Sequence, residues 1–142
     1  MRRFVVRAAV LLFVLTVAGS VRVVSATSDA VDLSGTWKVT TQRAGTSITA
    51  DGTAVFEPMA DGRYTGVAEI TTHLNSGDVT VRYTLTATVA GDKKVTIELK
   101  GSTPDYGFVV EGKVKSQDKI EGLYTTYRGM SWATFVRATN TK

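Results

Sequence analysis

The residues that could support catalysis are few and isolated in this 142-residue chain. His73 is the single histidine, and only Asp78, across a predicted turn, is expected near enough to orient it as a general base. The segment 129–133, Gly-Met-Ser-Trp-Ala, comes close to a nucleophile elbow, but that motif ends in glycine and leads from a strand into a helix. We therefore predict that His73 is a solvent-exposed loop residue and that the chain has no catalytic residue.

Carboxylates and metal ligands form no recognisable site in the sequence either. The glutamates at positions 69, 98, 111 and 121 alternate out of phase with the apolar residues, which predicts that they face solvent. The chain has no cysteine, and none of its Asp-Gly turns has the spacing of a calcium loop. We predict neither a metal nor a cofactor. A cofactor-free isomerase or cyclase, which would need a polar group deep in a cavity, is one alternative function.

Three tyrosines and one tryptophan are candidates for binding rather than for catalysis. Tyr64, Tyr83 and Tyr124 fall in phase with the apolar residues of their segments, and a buried phenol requires a hydrogen-bond partner. A ligand could supply that partner, with Trp132 beside it. The alternative is that the hydroxyls bond to one another, to water or to the backbone. An internal cavity of at least about 300 Å³ lined by these residues would favour a ligand, and a filled interior would exclude one.

Alternation with a period of two predicts the strands that position these side chains. Residues 79–89 alternate without a miss between apolar residues and threonine or arginine, which is typical of a strand with one buried face. We predict eight strands, at about 33–42, 46–59, 63–72, 78–89, 93–100, 106–115, 119–126 and 131–139. Asp51-Gly52 is either a bulge within the second strand or a turn that makes nine strands, and Pro58 must lie at a strand end or edge.

Glycines recur inside the predicted strands and indicate how the sheet is shaped. Gly66, Gly112 and Gly122 each follow an apolar residue by two positions, and glycine in a strand weakens it unless sharp coiling is needed. The short turns between segments make consecutive strands antiparallel neighbours. We therefore predict an all-β fold, a single antiparallel up-and-down barrel whose interior holds side chains or one small ligand.

The predicted interior face is mostly aliphatic and aromatic. A slip of one residue would move a whole strand's set to the other face. Four apolar residues are predicted to point outward and to support a partner or a second copy if they are contiguous: Val67, Val109, Leu123 and Phe135. The interior set is Trp37, Val39, Tyr64, Ile70, Val81, Tyr83, Leu85, Val95, Ile97, Leu99, Phe108, Val110, Tyr124, Trp132 and Val136.

The first 26 residues have the pattern of a signal peptide. Three arginines precede an apolar run, and small residues suited to cleavage end at Ser20 and at Ala26. The 14 residues between Arg7 and Arg22 are shorter than the roughly 20 that a spanning helix needs, although retention as an anchor is the alternative. We predict a signal peptide at 1–26, a short flexible leader at 27–32, the barrel at 33–139 and a tail at 140–142. The protein is then secreted or periplasmic, of bacterial type, and free of the membrane after cleavage.

The charge of the chain is concentrated in that first segment. It contains four of the 17 basic residues and none of the 13 acidic residues, so the remainder has no net charge. A nucleic-acid-binding protein needs a basic surface. We therefore predict no nucleic-acid partner.

The motif Gly35-Thr36-Trp37 resembles the Gly-x-Trp signature of lipocalins and related calycin barrels. The wider pattern resembles small exported bacterial lipocalin-like domains, with Asp61-Gly62 and Thr65-Gly66 early in the chain and Ile120-Glu121-Gly122 near its end. The resemblance implies that Arg137, at the end of the last strand, packs on Trp37 and closes one end of the barrel together with Gly35. It also implies a non-catalytic barrel that binds a small apolar or amphipathic ligand. The alternative is an interaction module, such as an inhibitor, adaptor or homo-oligomer subunit, that acts through its outer surface.

Overall fold

The computed structural model describes residues 30–139, which form a closed barrel of eight antiparallel strands. Each strand pairs with the next along the chain, and the last pairs with the first. A short 3-10 helix, Pro104–Tyr106, follows the fifth strand. The strands are β1 (Gly35–Arg43), β2 (Thr49–Pro58), β3 (Tyr64–Leu74), β4 (Gly77–Val89), β5 (Lys94–Lys100), β6 (Phe108–Ser116), β7 (Lys119–Thr126) and β8 (Gly129–Arg137).

The predicted fold class is confirmed, and every strand bound lies within three residues of its prediction. Asp51 and Gly52 both lie inside β2, so the described residues form eight strands and not nine. Pro58 is the last residue of β2, where its missing N–H is tolerated. The predicted signal peptide, the leader as far as residue 29 and the tail lie outside the described residues. No helix among residues 30–139 is long enough and sufficiently apolar to cross a membrane.

The barrel interior is an apolar core made from alternate residues of every strand. In β4, Tyr83, Leu85 and Ala87 are buried while the threonines between them are exposed. Burial of apolar area contributes about 25 cal/mol per Å², which makes this face the main source of stability. The largest side chains that are fully buried are Trp37, Phe56, Phe135, Leu33, Leu85, Ile97, Leu99, Ile120, Val39, Val95 and Val110.

The predicted orientation of β8 is wrong by one residue. Trp132 and Val136, predicted to face inward, are 56% and 43% exposed, whereas Phe135, predicted to face outward, is 1% exposed. Residues directly opposite each other in a ladder share a face, and Phe135 lies opposite the buried Val39 of β1. Both faces of β8 carry large apolar residues, so hydrophobicity alone did not determine which face is inside.

The strand glycines lie where neighbouring backbones approach too closely for a side chain. A Cβ on Gly66 would lie 1.8 Å from the carbonyl oxygen of Val55 on β2. Gly112 of β6 faces Gly122 of β7, and a Cβ on Gly112 would lie 2.4 Å from the Glu121 carbonyl oxygen. These contacts are with backbone atoms, which cannot move aside without changing the ladder.

We expect Gly66→Ala to destabilise the barrel by about 1–3 kcal/mol, because the added methyl group overlaps the backbone of β2. Gly91→Ala is the matched control, since a Cβ on Gly91 meets nothing within 4 Å. Urea unfolding followed by fluorescence gives both free energies. Equal stability of the two variants would contradict the steric explanation.

The two ends of the barrel differ, and we name them the closed end and the open end. At the closed end, where β1 begins and β8 ends, Leu33, Trp37 and Phe56 are at most 1% exposed. At the open end, β4 extends past β5, because residues 77–83 pair only with β3. The ladder between β6 and β7 is also incomplete there, since its first pair is Glu111 with Leu123.

Candidate functional site

Trp37 and Arg137 seal the closed end. The guanidinium carbon of Arg137 lies 4.4 Å from the centre of the Trp37 indole, which is the packing that the resemblance implies and a favourable cation–π geometry. The indole Nε1 donates to the Leu33 carbonyl oxygen at 2.8 Å. Gly35 has a φ of +108°, and a Cβ there would lie 3.4 Å from Nη1 of Arg137. Glycine therefore lets the chain turn into β1 beneath the guanidinium.

Arg137 also joins two other segments of the chain to this seal. It donates to the carbonyl oxygens of Asp32 and Ser34, before β1, and to the Gln117 carbonyl oxygen and Asp118 Oδ1, between β6 and β7. Hydrogen bonds from Ser34, with a smaller contribution from the Arg137 charge, lower the pKa of Asp32. One guanidinium thus fixes the start, the end and one turn of the barrel.

Tyr64 belongs to the closed end and not to a binding cavity. Its hydroxyl donates to the carbonyl oxygen of Val31 at 3.3 Å, and Val31 itself packs against the core. The last residues of the predicted leader therefore lie across this end of the barrel. The hydroxyl has the backbone partner that was one of the two alternatives predicted for it.

We expect Arg137→Ala to lower the free energy of unfolding by about 2–4 kcal/mol, because it removes several charge-assisted hydrogen bonds and the contact with Trp37. Arg128→Ala is the control, because Arg128 stacks on Tyr127, which is 82% exposed. An exposed cation–π pair of this kind contributes little to the free energy of unfolding. Thermal and urea denaturation measure both variants, and an Arg137→Ala protein as stable as Arg128→Ala would refute the role of the seal.

An aromatic stack lies inside the barrel near the open end. Phe108 lies between Tyr83 and Tyr124, with ring centres 5.3 Å and 4.5 Å away. Burial raises the pKa of the Tyr83 phenol, and the nearby phenols of Tyr124 and Tyr106 raise it further. The Tyr124 hydroxyl donates to Thr41 Oγ1 at 3.3 Å. The structure therefore brings together two of the three predicted tyrosines, and Phe108 fills the space between them.

Polar groups line the interior beside this stack, in contrast to the rest of the core. Thr41 and Ser131 are the buried polar side chains among residues 30–139, at 8% and 3% exposure. Ser131 lies opposite both Tyr124 on β7 and Arg43 on β1. Nε of Arg43 is buried, and it has no hydrogen-bond partner among the described residues. Arg43 was not predicted as a site residue, although the alternation of Trp37, Val39 and Thr41 continues to it.

The rim of the open end exposes side chains that belong to the interior face. Val79 continues the buried series of β4, yet it is 42% exposed. Val81 is half-buried and packs against the core, and Thr72, opposite Val79 on β3, is also half-buried. The interior face of β3 and β4 therefore meets solvent at this end.

Two clefts lie elsewhere on the described surface. One, of about 410 Å³, lies on the outer side of β1, β2, β3 and β8, between Trp132 and His73. The other, of about 510 Å³, lies at the loop between β5 and β6 and touches Leu99 and Phe108. Neither is lined by Tyr64, Tyr83 or Tyr124, so neither is an internal cavity of the kind that would favour a ligand among these tyrosines. Trp132 lines the outer cleft and not the interior.

His73 is a strand residue and not the loop residue that was predicted. It lies in β3, and its Nε2 is 2.7 Å from Asp51 Oδ1 on β2 while its Nδ1 is 3.0 Å from Asp78 Oδ1 on β4. Hydrogen bonds with Asp51, and then with Asp78, raise the pKa of His73. Asp51 is 22 residues away in the sequence, which is why it was not predicted as a partner. With both ring nitrogens engaged, His73 connects three strands and is not arranged as a general base.

We expect the contribution of His73 to stability to fall as the pH rises. A raised pKa in the folded state means that the protonated form stabilises the fold; this stabilisation is complete below the unfolded value of about 6.5 and disappears above the folded value. The difference in urea midpoint between the wild type and His73→Gln should therefore be larger at about pH 5.5 than at about pH 8.5. High salt should reduce it, because the cluster is exposed. A difference independent of pH would contradict this assignment.

The chain matches no known protein-family model, and no curated protein is similar to it. Among residues 30–139, no group of three His, Cys, Asp or Glu side chains is placed to hold a metal ion. Solved structures of designed barrels are similar to it. They include a redesigned β-barrel, mFAP1, bound to DFHBI, with 20% identity, a TM-score of 0.59, and coverage of 78% of this chain and 97% of the other.

Two further designed proteins show the same likeness. EF1p2_mFAP2b bound to DFHBI has 16% identity and a TM-score of 0.61, with coverage of 78% of this chain and 96% of that one. A fluorescence-activating β-barrel designed de novo has 19% identity and a TM-score of 0.58, with coverage of 78% of this chain and 98% of that one. At such identities the likeness shows a shared fold alone, a closed barrel of antiparallel strands.

Proposed function

We propose that this protein is a non-catalytic binding barrel that holds a small amphipathic molecule at the rim of its open end, and not in the internal cavity that the tyrosines and Trp132 were predicted to line. The observation that carries the proposal is the difference between the two ends. Leu33 and Trp37 at the closed end have no exposed area, whereas Val79, on the interior face of β4, is 42% exposed. An apolar face that is open to water at one end of a sealed barrel is where a ligand would gain most from burial.

The chemistry of the open end fits a molecule that is apolar on one side and polar on the other. Val79 and Val81 offer aliphatic surface, and Phe108 with its two tyrosines offers aromatic surface. The hydroxyls of Thr41, Ser131 and Tyr124 supply a few converging polar groups, as ligand sites commonly do. The designed barrels mFAP1 and EF1p2_mFAP2b, which are bound to DFHBI, support the proposal by analogy of fold.

We place this binding function outside the cytoplasm, in the periplasm or the medium of a bacterial cell. The support is the N-terminal pattern of arginines, an apolar run and small residues. A barrel without cysteines that is stabilised by its core and by the Arg137 seal does not depend on disulfide formation after export.

A second candidate function is an interaction module that uses the outer surface of β7 and β8. Trp132, Val136 and Met130 are 56%, 43% and 43% exposed on one face of β8, and Leu123 lies opposite Trp132. Contiguous apolar surface of this kind favours a partner or a second copy. Of the outward residues predicted from sequence, Val67 and Val109 are exposed, Leu123 is half-buried, and Phe135 is inside.

We expect the protein to bind the neutral apolar dye Nile red saturably, with an increase in fluorescence. Val79→Glu should weaken this binding about tenfold or more, because the carboxylate must be desolvated at the rim. Val67→Glu is the matched control, since Val67 is 38% exposed on the outer face, and it should leave the affinity within about twofold. Trp132→Ser removes the most exposed apolar side chain of the outer face of β8 and therefore tests the second candidate function.

The outcomes distinguish the two functions. Loss of binding in Val79→Glu alone supports the open end. Equal loss in Val79→Glu and Val67→Glu, or no saturable binding, refutes the proposal. Dye binding lost only in Trp132→Ser, together with a dimer in size-exclusion chromatography that the same variant dissociates, favours the outer surface.

A further inference from the structure

We propose that the ligand of the open end is a monocarboxylate with an apolar body, whose carboxylate is bound by Arg43. This inference rests on the proposed function and adds the chemical class of the ligand. It starts from Nε of Arg43, which is buried and has no hydrogen-bond partner among residues 30–139. Arg43 as a whole is half-buried, but a buried N–H donor without an acceptor costs free energy, so an acceptor that enters from the open end would stabilise it.

No carboxylate of the described residues neutralises Arg43. Arg63 pairs with Asp61 and Arg137 pairs with Asp118, but none of the ion pairs among residues 30–139 includes Arg43. Asp51 and Asp78, on β2 and β4 toward the open end, are exposed and hold His73. The positive charge at this end of the interior is therefore uncompensated within the described structure.

The surroundings of Arg43 suit a carboxylate with an apolar body. A guanidinium offers parallel N–H donors in a planar fork, which matches the two oxygens of a carboxylate. Ser131, directly opposite Arg43, adds a hydroxyl group on the same face. Val79 and Val81, on the other side of the opening, provide the apolar surface for the rest of the molecule.

The test compares an acid with its neutral analogue in the same site. Decanoate and decanamide are titrated against the purified protein at about pH 7.5, by displacement of Nile red and by calorimetry. We expect decanoate to bind at least about tenfold more tightly than decanamide, as a charge-assisted pair shielded from water requires. In Arg43→Gln the affinity for decanoate should fall to that for decanamide, while the affinity for decanamide stays unchanged.

Two further variants make the result specific to this guanidinium. Arg128→Gln, which removes an exposed arginine from the turn between β7 and β8, should leave the preference for the acid intact. Arg43→Lys keeps the charge and removes the fork, so it should retain part of the preference. Circular dichroism confirms that each variant is folded before it is titrated.

The failure of this inference is distinct from the failure of the proposed function. If Nile red binds but decanoate and decanamide bind equally, or if Arg43→Gln keeps the preference, the role of Arg43 is refuted and the binding barrel stands. If Nile red, decanoate and decanamide all fail to bind the folded protein, both proposals are refuted. A preference for the acid that Arg128→Gln also abolishes refutes the assignment to Arg43.

Discussion

The pairing of β1 with β8 is the constraint on which the rest of the structure depends. An open sheet of eight strands would leave two unpaired edges and an exposed apolar face, and closure removes both. The ladder places Arg137 opposite Trp37, Phe135 opposite Val39 and Ser131 opposite Arg43. The same seven-residue register therefore sets the seal at the closed end, the packing of the core and the polar groups at the open end.

The two ends of the barrel differ in the groups that they carry. At the closed end, the Trp37 indole and the Tyr64 hydroxyl both have backbone partners, and Arg137 joins segments that are far apart in the sequence. Toward the open end the ladders become incomplete, hydroxyl groups replace aliphatic ones, and a buried donor lacks an acceptor among the described residues. Functional sites commonly break the local rules of packing and hydrogen bonding, and the rest of the structure compensates. The buried donor at the open end therefore supports the proposed binding there.

Much of the fold could be predicted from local patterns. Two features that were not correctly predicted, the orientation of β8 and the position of Arg43, both depend on neighbouring strands. β4 was assigned correctly because its apolar residues fall on one face only. β8 carries Trp132 and Val136 on one face and Phe135 on the other, so its orientation depended on the strand beside it. The expected contact between Arg137 and Trp37 already implied the correct orientation, because residue 135 shares a face with residue 137. The candidate site was harder to predict. Alternation placed Tyr83 and Tyr124 inside and also continues to Arg43, but an arginine near a turn is ordinarily solvated, so the burial of its Nε could not be inferred.

The amino-acid sequence by itself determined the strands and their turns, because alternation and turn chemistry act between residues close along the chain. It also determined which positions needed glycine, since a strand tolerates glycine only where its backbone must coil or approach another. Only the tertiary structure decided which face of β8 is buried, which end of the barrel is sealed, which acids hold His73 and where Arg43 lies. These depend on the register between strands, and above all between β1 and β8, whose paired residues are separated by most of the chain. That register follows from the packing of the whole core.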